Sequence, residues 1–390
     1  MMLATLSLEE AARRDWDVIV LGAGPSGALS ARRLAIEGAR VLLVEKKSFP
    51  RFKVCGACLN REALSTLRAE GLGTLVDDAM GVDLGQFHVR MAGRSARFPL
   101  PEGKALSRER FDTALVTAAI AEGVDFLPET TASAREAEDD ARPVQLDRQG
   151  VSVMARARLV LVAAGLGNHC VDQEPRIATT VSPSARIGAG CMLDDAPDNY
   201  TAGAIHMAVG RGGYVGMVRV EDGRLNVAAA LETAVVRRAG SPGLAAAGVL
   251  AEAGFPAIEA LAESHWQGTV GLTRQTRPVA ARRLFLLGDA TGYVEPFTGQ
   301  GMAWALTAAR AVAPIARRAI TRWEPELERA WIQRHNTLIG RRLWLCRVLG
   351  LATRRPSFAR ALFSTAACVP GFSKLIINHV NTSQLFIKTS

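Results

Sequence analysis

Apolar residues near the N-terminus fall into two short blocks separated by a longer segment. Residues 17–45 read DVIVLGAGPSGALSARRLAIEGARVLLVE. Asp17–Leu21 is a β-branched, apolar run of the kind that forms a buried parallel strand, and Arg40–Val44 is a second such run. Between them, ALSARRLAIEG reads as a helix that ends at Gly38. The pattern predicts a strand, a helix and a second, parallel strand.

Three glycines in the turn after the first strand complete the pattern G-x-G-x-x-G. Gly22 makes the tight turn, Gly24 lets the backbone reach a pyrophosphate, and Gly27 lets the helix pack closely on the strand. The N-terminus of the helix then faces the phosphates. Glu45 lies 23 positions after Gly22, about where a carboxylate binds the ribose hydroxyls. These features in register predict a dinucleotide-binding fold.

A second strand followed by a glycine lies far downstream, in RRLFLLGDATGYVEPFTGQGMAWAL at 282–306. The apolar strand Leu284–Leu287 ends at Gly288 and Asp289, and a helix begins near Gly299 after a loop rich in proline and glycine. An NAD-dependent dehydrogenase has no need of such a distant element, whereas an extended FAD does. The dinucleotide is therefore predicted to be FAD.

These elements resemble the large FAD-dependent family that includes aromatic hydroxylases, flavin-dependent halogenases and geranylgeranyl reductases. The resemblance implies that Asp289 binds the ribityl chain and that the next helix begins beside the pyrimidine edge of the flavin. It also implies that Arg108, in an S-R-x-x-F-D segment, contacts FAD and that Thr131-Ala132 meets the adenine. The expected FAD contacts are Gly22, Gly24, Pro25, Ser26, Gly27, Glu45, Lys46, Cys55, Gly56, Cys58, Arg108, Ala132, Gly288, Asp289, Gly299, Gln300, Gly301 and Met302.

One position departs from the hydroxylases of this family. LVLVAAGLGN at 159–168 has Ala164 where they carry an aspartate that supports both FAD and the incoming NADPH. The departure argues against a hydroxylase-type encounter with NADPH and leaves FAD binding intact. No second nucleotide fold is visible, so we expect NAD(P)H to be the electron donor and to dock transiently, with a ferredoxin as the alternative.

The stretch KVCGACLN at 53–60 places two cysteines at C-x-x-C spacing. A structural zinc would need a second pair of ligands, and none has suitable spacing. A redox dithiol stays open. The stretch PRFKVCGAC also resembles the loop P-R-x-K-x-C-G-G of the geranylgeranyl reductases, which lines the flavin. That resemblance implies that Cys55 faces the redox centre as a catalytic residue and that Gly56 and Cys58 lie beside it, with a small packing residue as the alternative for Cys58. Because the second ligand pair is missing, no bound metal is expected.

The predicted substrate region contains apolar and weakly polar residues. The expected contacts are His206, Tyr214, Met217 and Phe297, with Met207 and Trp304 as further wall residues. Together they indicate a lipophilic small-molecule substrate. His206 is a candidate proton donor, although a single histidine on a strand is more often structural. The tryptophan-rich motif of the halogenases is absent, which places halogenation third.

Charge is distributed unevenly along the 390 residues, whose net charge is +9. No acidic residue follows Glu328, and nine of the 47 basic residues lie in the last 60 positions. This basic region predicts either a solvated arginine-rich helix face or peripheral contact with an anionic membrane. It carries no recognisable nucleic-acid-reading motif, so no nucleic-acid partner is expected. No signal peptide or spanning segment is visible, and a cytoplasmic location is expected.

Residues 187–231 alternate β-type runs with turn signals, which predicts an antiparallel sheet. The expected fold is α/β: a Rossmann-like FAD-binding domain (15–80, 105–180 and 268–325) interleaved with a β-sheet substrate domain (81–104 and 181–267), followed by a basic helical region (326–390). We expect an FAD-dependent oxidoreductase resembling the geranylgeranyl reductases, with a monooxygenase acting on a phenolic or polyketide-type substrate as the alternative. A halogenase and a non-catalytic flavin-binding protein rank lower.

Overall fold

The computed structural model describes residues 2–167, 169–295 and 300–340. Its α-helices are α1 Leu8–Arg13, α2 Pro25–Ile36, α3 Arg61–Ala69, α4 Leu75–Asp78, α5 Arg108–Ala121, α6 Thr233–Ala239, α7 Pro242–Ala253, α8 Gly301–Thr321 and α9 Glu326–His335. Its strands are β1 Asp15–Leu21, β2 Val41–Val44, β3 Cys58–Asn60, β4 Val82–Asp83, β5 Gln86–Met91, β6 Arg94–Pro99, β7 Gly103–Ala105, β8 Asp125–Leu127, β9 Thr131–Ala134, β10 Arg142–Arg148, β11 Val151–Val162, β12 Ala178–Val181, β13 Ile187–Leu193, β14 Ala204–Gly210, β15 Gly213–Arg219, β16 Leu225–Leu231, β17 Gln267–Gly271, β18 Arg274–Arg277, β19 Ala280–Ala281, β20 Leu284–Leu286 and β21 Gly292–Tyr293.

The predicted strand–helix–strand unit forms the centre of an eight-stranded sheet. Its main path runs β19-β20-β11-β1-β2-β8, and β1 pairs in parallel with both β2 and β11. The side chains of Val18, Ile19 and Val20 are fully buried because helices cover the sheet. A Cβ on Gly27 would stand 1.8 Å from the Gly22 carbonyl oxygen, so only glycine allows α2 to lie this close to the turn.

The predicted antiparallel sheet is the seven-stranded order β17-β13-β16-β15-β14-β5-β6. All of its pairings are antiparallel except β14 with β5, which the sequence did not indicate. One face packs on α7, and its apolar cluster includes Val215, Met217 and Leu250. The other face is lined by side chains such as Met207 and Val209.

The mixed α/β class with a parallel sheet and an antiparallel sheet is confirmed, as is a helical C-terminal part as far as residue 340. The residue boundaries of the two domains stay a prediction, and residues 341–390 of the basic region lie outside the described residues. Within the described ranges, no helix is long and apolar enough to cross a membrane.

Candidate active site

A single cavity of about 940 Å³ connects the glycine turn with the seven-stranded sheet. We call one part of it the polar half; its walls include Gly24, Glu45, Arg51, Lys53, Arg108, Ala132 and Asp289. We call the other part the apolar half; its walls include Phe87, Val89, Met91, Phe98, Met207, Val209, Tyr214 and Ala228. Residues 53–57, which we call the Cys55 loop, lie between the two halves.

The far end of the polar half is organised around Glu45, which is buried at the end of β2. Its carboxylate accepts hydrogen bonds from the backbone N–H groups of Ala23 and Lys47, both at 3.1 Å. Lys46 and Ala132 line the cavity nearby. A carboxylate held in place by backbone donors, with oxygen lone pairs left over, suits the binding of ribose hydroxyls.

Beside the glycine turn, two arginines share one buried carboxylate. Arg108 donates from Nε and Nη2 to the two oxygens of Asp112, at 2.8 and 2.7 Å. Arg51 Nη1 lies 3.0 Å from Asp112, and its Nη2 donates to Glu45 at 3.2 Å. Burial lowers the pKa of Arg108. Asp112, and then Cys55, raise it by more than burial lowers it, so the pKa lies above its ordinary value. The Arg108 guanidinium therefore stays charged.

The position of Gly24 indicates what these cations face. A Cβ added there would meet only Arg108 Nη2 at 3.6 Å and Arg51 Nη2 at 4.0 Å, so the backbone at the start of α2 opens toward the two cations. Arg51 Nε is buried without a hydrogen-bond partner in the protein. Free N–H groups at a helix N-terminus and unsatisfied guanidinium donors fit a pyrophosphate.

Asp289 and Lys53 form the centre of the cavity wall. Gly288 has a left-handed φ of 55°, and a Cβ on it would stand 2.7 Å from Ser26 Oγ, so glycine brings this element against α2. Burial raises the pKa of the Asp289 carboxyl, and Lys53 and Arg108 oppose that rise. Burial, with Arg108 and Arg51 nearby, lowers the pKa of Lys53. A buried acid flanked by cations can accept hydrogen bonds from the hydroxyls of a ribityl chain.

The N-terminus of α8 closes the polar half. Gly301 and Met302 line the cavity, whereas Gln300 is buried behind the lining. Of the remaining expected contacts, Gly27 and Gly288 support the wall from behind, and Gly299 and Phe297 lie outside the described residues. The other expected FAD contacts line the cavity: Gly22, Gly24, Pro25, Ser26, Glu45, Lys46, Cys55, Gly56, Cys58, Arg108, Ala132 and Asp289.

The Cys55 loop is held by the seven-stranded sheet and lies beside α5. Asn226 of β16 donates from Nδ2 to the Cys55 carbonyl oxygen at 2.9 Å, and the Cys55 side chain is close enough to Arg108 to raise the pKa of that guanidinium. Cys58 Sγ donates to the Gly56 carbonyl oxygen at 2.9 Å. Burial, and then Cys55, raise the pKa of the Cys58 thiol, which makes it unreactive. Both cysteines are free thiols, and in the part of the chain that is described no three His, Cys, Asp or Glu side chains could share a metal.

Of the expected substrate contacts, Tyr214 and Met217 line the cavity, although Met217 also belongs to the cluster packed on α7. His206 does not line it, and the expectation that it contacts the substrate is corrected. Its ring is buried on the α7 side of the sheet, 5.3 Å from the Tyr200 ring and 6.2 Å from the Phe255 ring. Burial lowers its pKa to about 4, so it is neutral at physiological pH.

The residues in or behind the wall that the sequence-based set missed include Arg51, Lys53, Asp112 and Tyr293. Arg51 and Lys53 belong to the same P-R-x-K-x-C stretch that indicated Cys55, and Asp112 ends the S-R-x-x-F-D segment. Their signal was present in the matched motifs. Tyr293 follows Asp289 closely, but nothing in its spacing indicated that its side chain faces the cavity.

Comparison with known proteins agrees with this geometry. Residues 15–315 match a family model described as an FAD binding domain. Digeranylgeranylglycerophospholipid reductase 1 of Methanopyrus kandleri is 28% identical over 317 residues, which cover 78% of this chain and 81% of that protein.

Two solved structures share the fold. A flavoprotein/dehydrogenase from Cytophaga hutchinsonii superposes with a TM-score of 0.81 at 17% identity, covering 95% of this chain and 93% of the other. The p-nitrophenol 4-monooxygenase of Pseudomonas putida superposes with a TM-score of 0.76 at 16% identity, covering 95% and 100%. The family match spans most of the chain and includes all the residues that line the cavity. The chain therefore belongs to the FAD-binding-domain family, and it is an FAD-dependent oxidoreductase.

Proposed function

We propose that this oxidoreductase resembles the geranylgeranyl reductases in activity and acts on a lipophilic, unsaturated or aromatic substrate. FAD, when bound, supplies hydride transfer and, after reduction, reactivity toward O₂. The observation that carries the proposal is the continuity of the cavity. Its polar half fits the cofactor, and its apolar half begins at the Cys55 loop and extends under β5, β6 and β14.

In this proposal the polar half holds and orients FAD. Asp289 accepts hydrogen bonds from the ribityl hydroxyls, and Glu45 accepts them from the ribose. Arg51 and Arg108 neutralise the pyrophosphate, with Asp112 fixing both guanidinium groups in place. Gly301 and Met302 present the N-terminus of α8 to the redox end, where its free N–H groups stabilise negative charge.

The apolar half binds the substrate and excludes water. Phe87, Phe98 and Met207 surround it with hydrocarbon, which favours a lipid or a ring system over a charged metabolite. Cys55 lies where the two halves meet, so its thiol is placed to shape the cavity over the flavin or to deliver a proton next to the carbon that receives hydride. Similarity to a reductase named for a geranylgeranyl-bearing phospholipid supports reduction as the reaction.

A monooxygenase acting on a phenolic or polyketide-type substrate is the second candidate. Tyr214 and Tyr293 give the junction two phenol groups, which suit a substrate oxygen. In either case we propose NAD(P)H as the electron donor, docking transiently. Ala164, at the cavity wall, stands where the hydroxylases carry the aspartate linked to that encounter, which favours reduction over hydroxylation.

The test is to reduce the purified holoenzyme anaerobically, add unsaturated lipids or alkylphenols, and analyse the products with and without O₂. Added hydrogens without oxygen identify a reductase, and an incorporated oxygen atom identifies a monooxygenase. A flavin that neither reacts with nor responds spectrally to any lipophilic compound would contradict the proposal.

We also propose that the basic C-terminal region contacts an anionic membrane surface. The proposal rests on charge, because nine basic and no acidic residues lie within the last 60 positions. Co-sedimentation with anionic vesicles should exceed that with neutral vesicles and should fall with added salt. Equal recovery with both kinds of vesicle would remove the electrostatic basis.

A further inference from the structure

The turn between β15 and β16, residues 220–224, contacts the part of the chain that lines the polar half. Glu221 in this turn accepts hydrogen bonds from the backbone N–H of Ser107 at 2.9 Å and from the Ser107 hydroxyl at 2.6 Å, one on each carboxylate oxygen. The Glu221 side chain is only 1% exposed. Arg224, from the same turn, donates to Glu109 at 3.2 Å. The seven-stranded sheet is therefore joined to the start of α5 by directional contacts.

The local sequence explains why α5 needs an acceptor from another element. Ser107 is the N-cap of α5, and its hydroxyl accepts a hydrogen bond from the Arg110 N–H at 3.1 Å. In a complete capping box, the residue at the position of Arg110 is a Glu or Gln whose side chain accepts from the N-cap N–H. Helix α1 has such a box, formed by Ser7 and Glu10. A guanidinium has no acceptor, so in α5 the Ser107 N–H donates to Glu221 of the seven-stranded sheet instead.

The first helical residue after this cap is Arg108. Asp112, one turn further along the same helix, holds both the Nε and the Nη2 of its guanidinium, so the pair moves with α5 as one unit. A Cβ on Gly24, at the start of α2, would lie 3.6 Å from Arg108 Nη2. The distance between this guanidinium and the glycine turn therefore depends on where the N-terminus of α5 lies.

We propose that Glu221 is a positioning residue for FAD: through Ser107 it holds the N-terminus of α5 where Arg108 can meet the pyrophosphate. The inference rests on the proposed placement of the pyrophosphate beside Arg108 and Gly24. Strands β15 and β16 also line the apolar half, so the same contact sets that half's position relative to the cofactor. Asn226 of β16 adds a second contact of this kind, to the Cys55 carbonyl oxygen.

The experiment measures how fast the purified holoenzyme releases FAD after dilution, from the fluorescence of free flavin, together with the melting temperature. Glu221→Ala should release FAD about two- to thirtyfold faster, the range that corresponds to the loss of a helix cap. Arg108→Ala should also release FAD faster. Adding Glu221→Ala to Arg108→Ala should change the rate by less than about twofold, because the group that Glu221 positions is gone. An equal factor in both backgrounds would overturn the inference.

A capping role alone would also stabilise α5, and Arg110→Gln separates that role from positioning. In Glu221→Ala/Arg110→Gln the glutamine can complete the capping box within α5, and the net charge is that of the wild type. We expect the melting temperature to recover and FAD release to stay fast. Recovery of the wild-type release rate would mean that the cap suffices, which would overturn the inference. If Glu221→Ala alone does not fold, the double variant is compared with Arg110→Gln and decides in the same way.

Glu252→Ala is the matched control. The Glu252 carboxylate also accepts two hydrogen bonds, from the N–H and the Nε of Arg211 at 3.0 and 3.1 Å, and it lies outside the cavity lining. This variant should release FAD at the wild-type rate, and release as fast as in Glu221→Ala would overturn the inference. If Arg108→Ala releases FAD at the wild-type rate, the proposed placement of the pyrophosphate fails. If Arg108→Ala is fast and Glu221→Ala is not, only the inference fails.

Discussion

In the polar half of the cavity, backbone groups and charged side chains hold one another in fixed positions. Arg51 contacts both Glu45 and Asp112, and Asp112 in turn contacts Arg108. In the apolar half, the wall consists of side chains on β5, β6, β14 and β15 that make mainly non-directional contacts. The first arrangement tolerates little change, because each group depends on a partner. The second fixes the size and polarity of a ligand more than its identity. Substitutions in the two halves should therefore have different consequences.

The largest expected effect comes from the glycine turn. In Gly27→Ala the new Cβ would stand 1.8 Å from the Gly22 carbonyl oxygen, so the turn or α2 must move. We expect the variant to be destabilised by about 1–3 kcal/mol and to lose FAD, measured by urea unfolding and by flavin content. Gly24→Ala is the control, because its Cβ meets nothing closer than 3.6 Å.

Gly24→Ala should unfold like the wild-type apoprotein but bind FAD more weakly, because the added methyl group stands where the backbone approaches the pyrophosphate. Unchanged FAD affinity in Gly24→Ala would contradict this placement of the phosphates.

Asp289→Ala should come next. The substitution removes a hydrogen-bond acceptor from the ribityl site and one of the two carboxyl groups, with Asp112, that act on Lys53. We expect FAD binding to weaken by about 1.5–3 kcal/mol, roughly 10- to 150-fold, and the protein to purify pale. Glu102→Gln is a matched control, since Glu102 also lines the cavity but its carboxylate pairs with Arg68. If Asp289→Ala keeps full colour and affinity, the Gly288-Asp289 element does not hold the ribityl chain.

Cys55→Ser tests the junction between the two halves, and we expect it to affect the reaction without affecting FAD binding. Asn226 bonds the Cys55 backbone, so the loop should keep its position and FAD should stay bound. We expect turnover to fall several-fold or the product distribution to change. Cys58→Ser should have less effect, because its thiol is bonded to the Gly56 carbonyl oxygen and its raised pKa keeps it protonated.

Thiol titration of the native protein should find both cysteines reduced, and metal analysis should find no zinc. Unchanged turnover and products in Cys55→Ser would make this cysteine an ordinary packing residue.

The two halves also differ in how far the sequence predicted them. The polar half depends on short motifs whose spacing is fixed by backbone geometry, so Gly22, Glu45, Arg108 and Asp289 could be assigned before the structure was known. The sequence also indicated the strand–helix–strand unit, because buried parallel strands are continuous apolar runs. Arg51 lies in the same matched stretch as Cys55, but its pairing with Asp112, which is distant in sequence, could not be predicted from that stretch.

For the apolar half, the sequence predicted only that the wall would be apolar and the substrate lipophilic, and not which residues would form the wall. In a strand, side chains alternate between faces, and a run such as AIHMAVG does not show which face meets the cavity. Met207 faces the cavity and His206 faces α7, so the same strand carried one useful and one misleading candidate. Tyr293 could not be chosen from sequence either, because its position in the cavity wall follows from the pairing of β21 with β18, which its spacing did not indicate.

The smallest expected effect on activity belongs to substitution of His206, which lies behind the apolar half. Burial, followed by His88, lowers its pKa to about 4, whereas the unfolded chain has an ordinary value near 6.5. Between these values the unfolded state binds a proton that the folded state does not, so the contribution to stability is complete above pH 6.5 and is lost as the pH falls toward 4. At pH 5 the loss is up to about 2 kcal/mol.

His206→Gln should reduce the drop in unfolding free energy between pH 7.5 and pH 5, whereas the exposed His169→Gln should not. His335, whose pKa is also lowered to about 4, keeps part of the drop in the variant. Turnover at pH 7.5 should match the wild type, because the ring does not reach the cavity; a large loss of turnover would place His206 at the substrate after all.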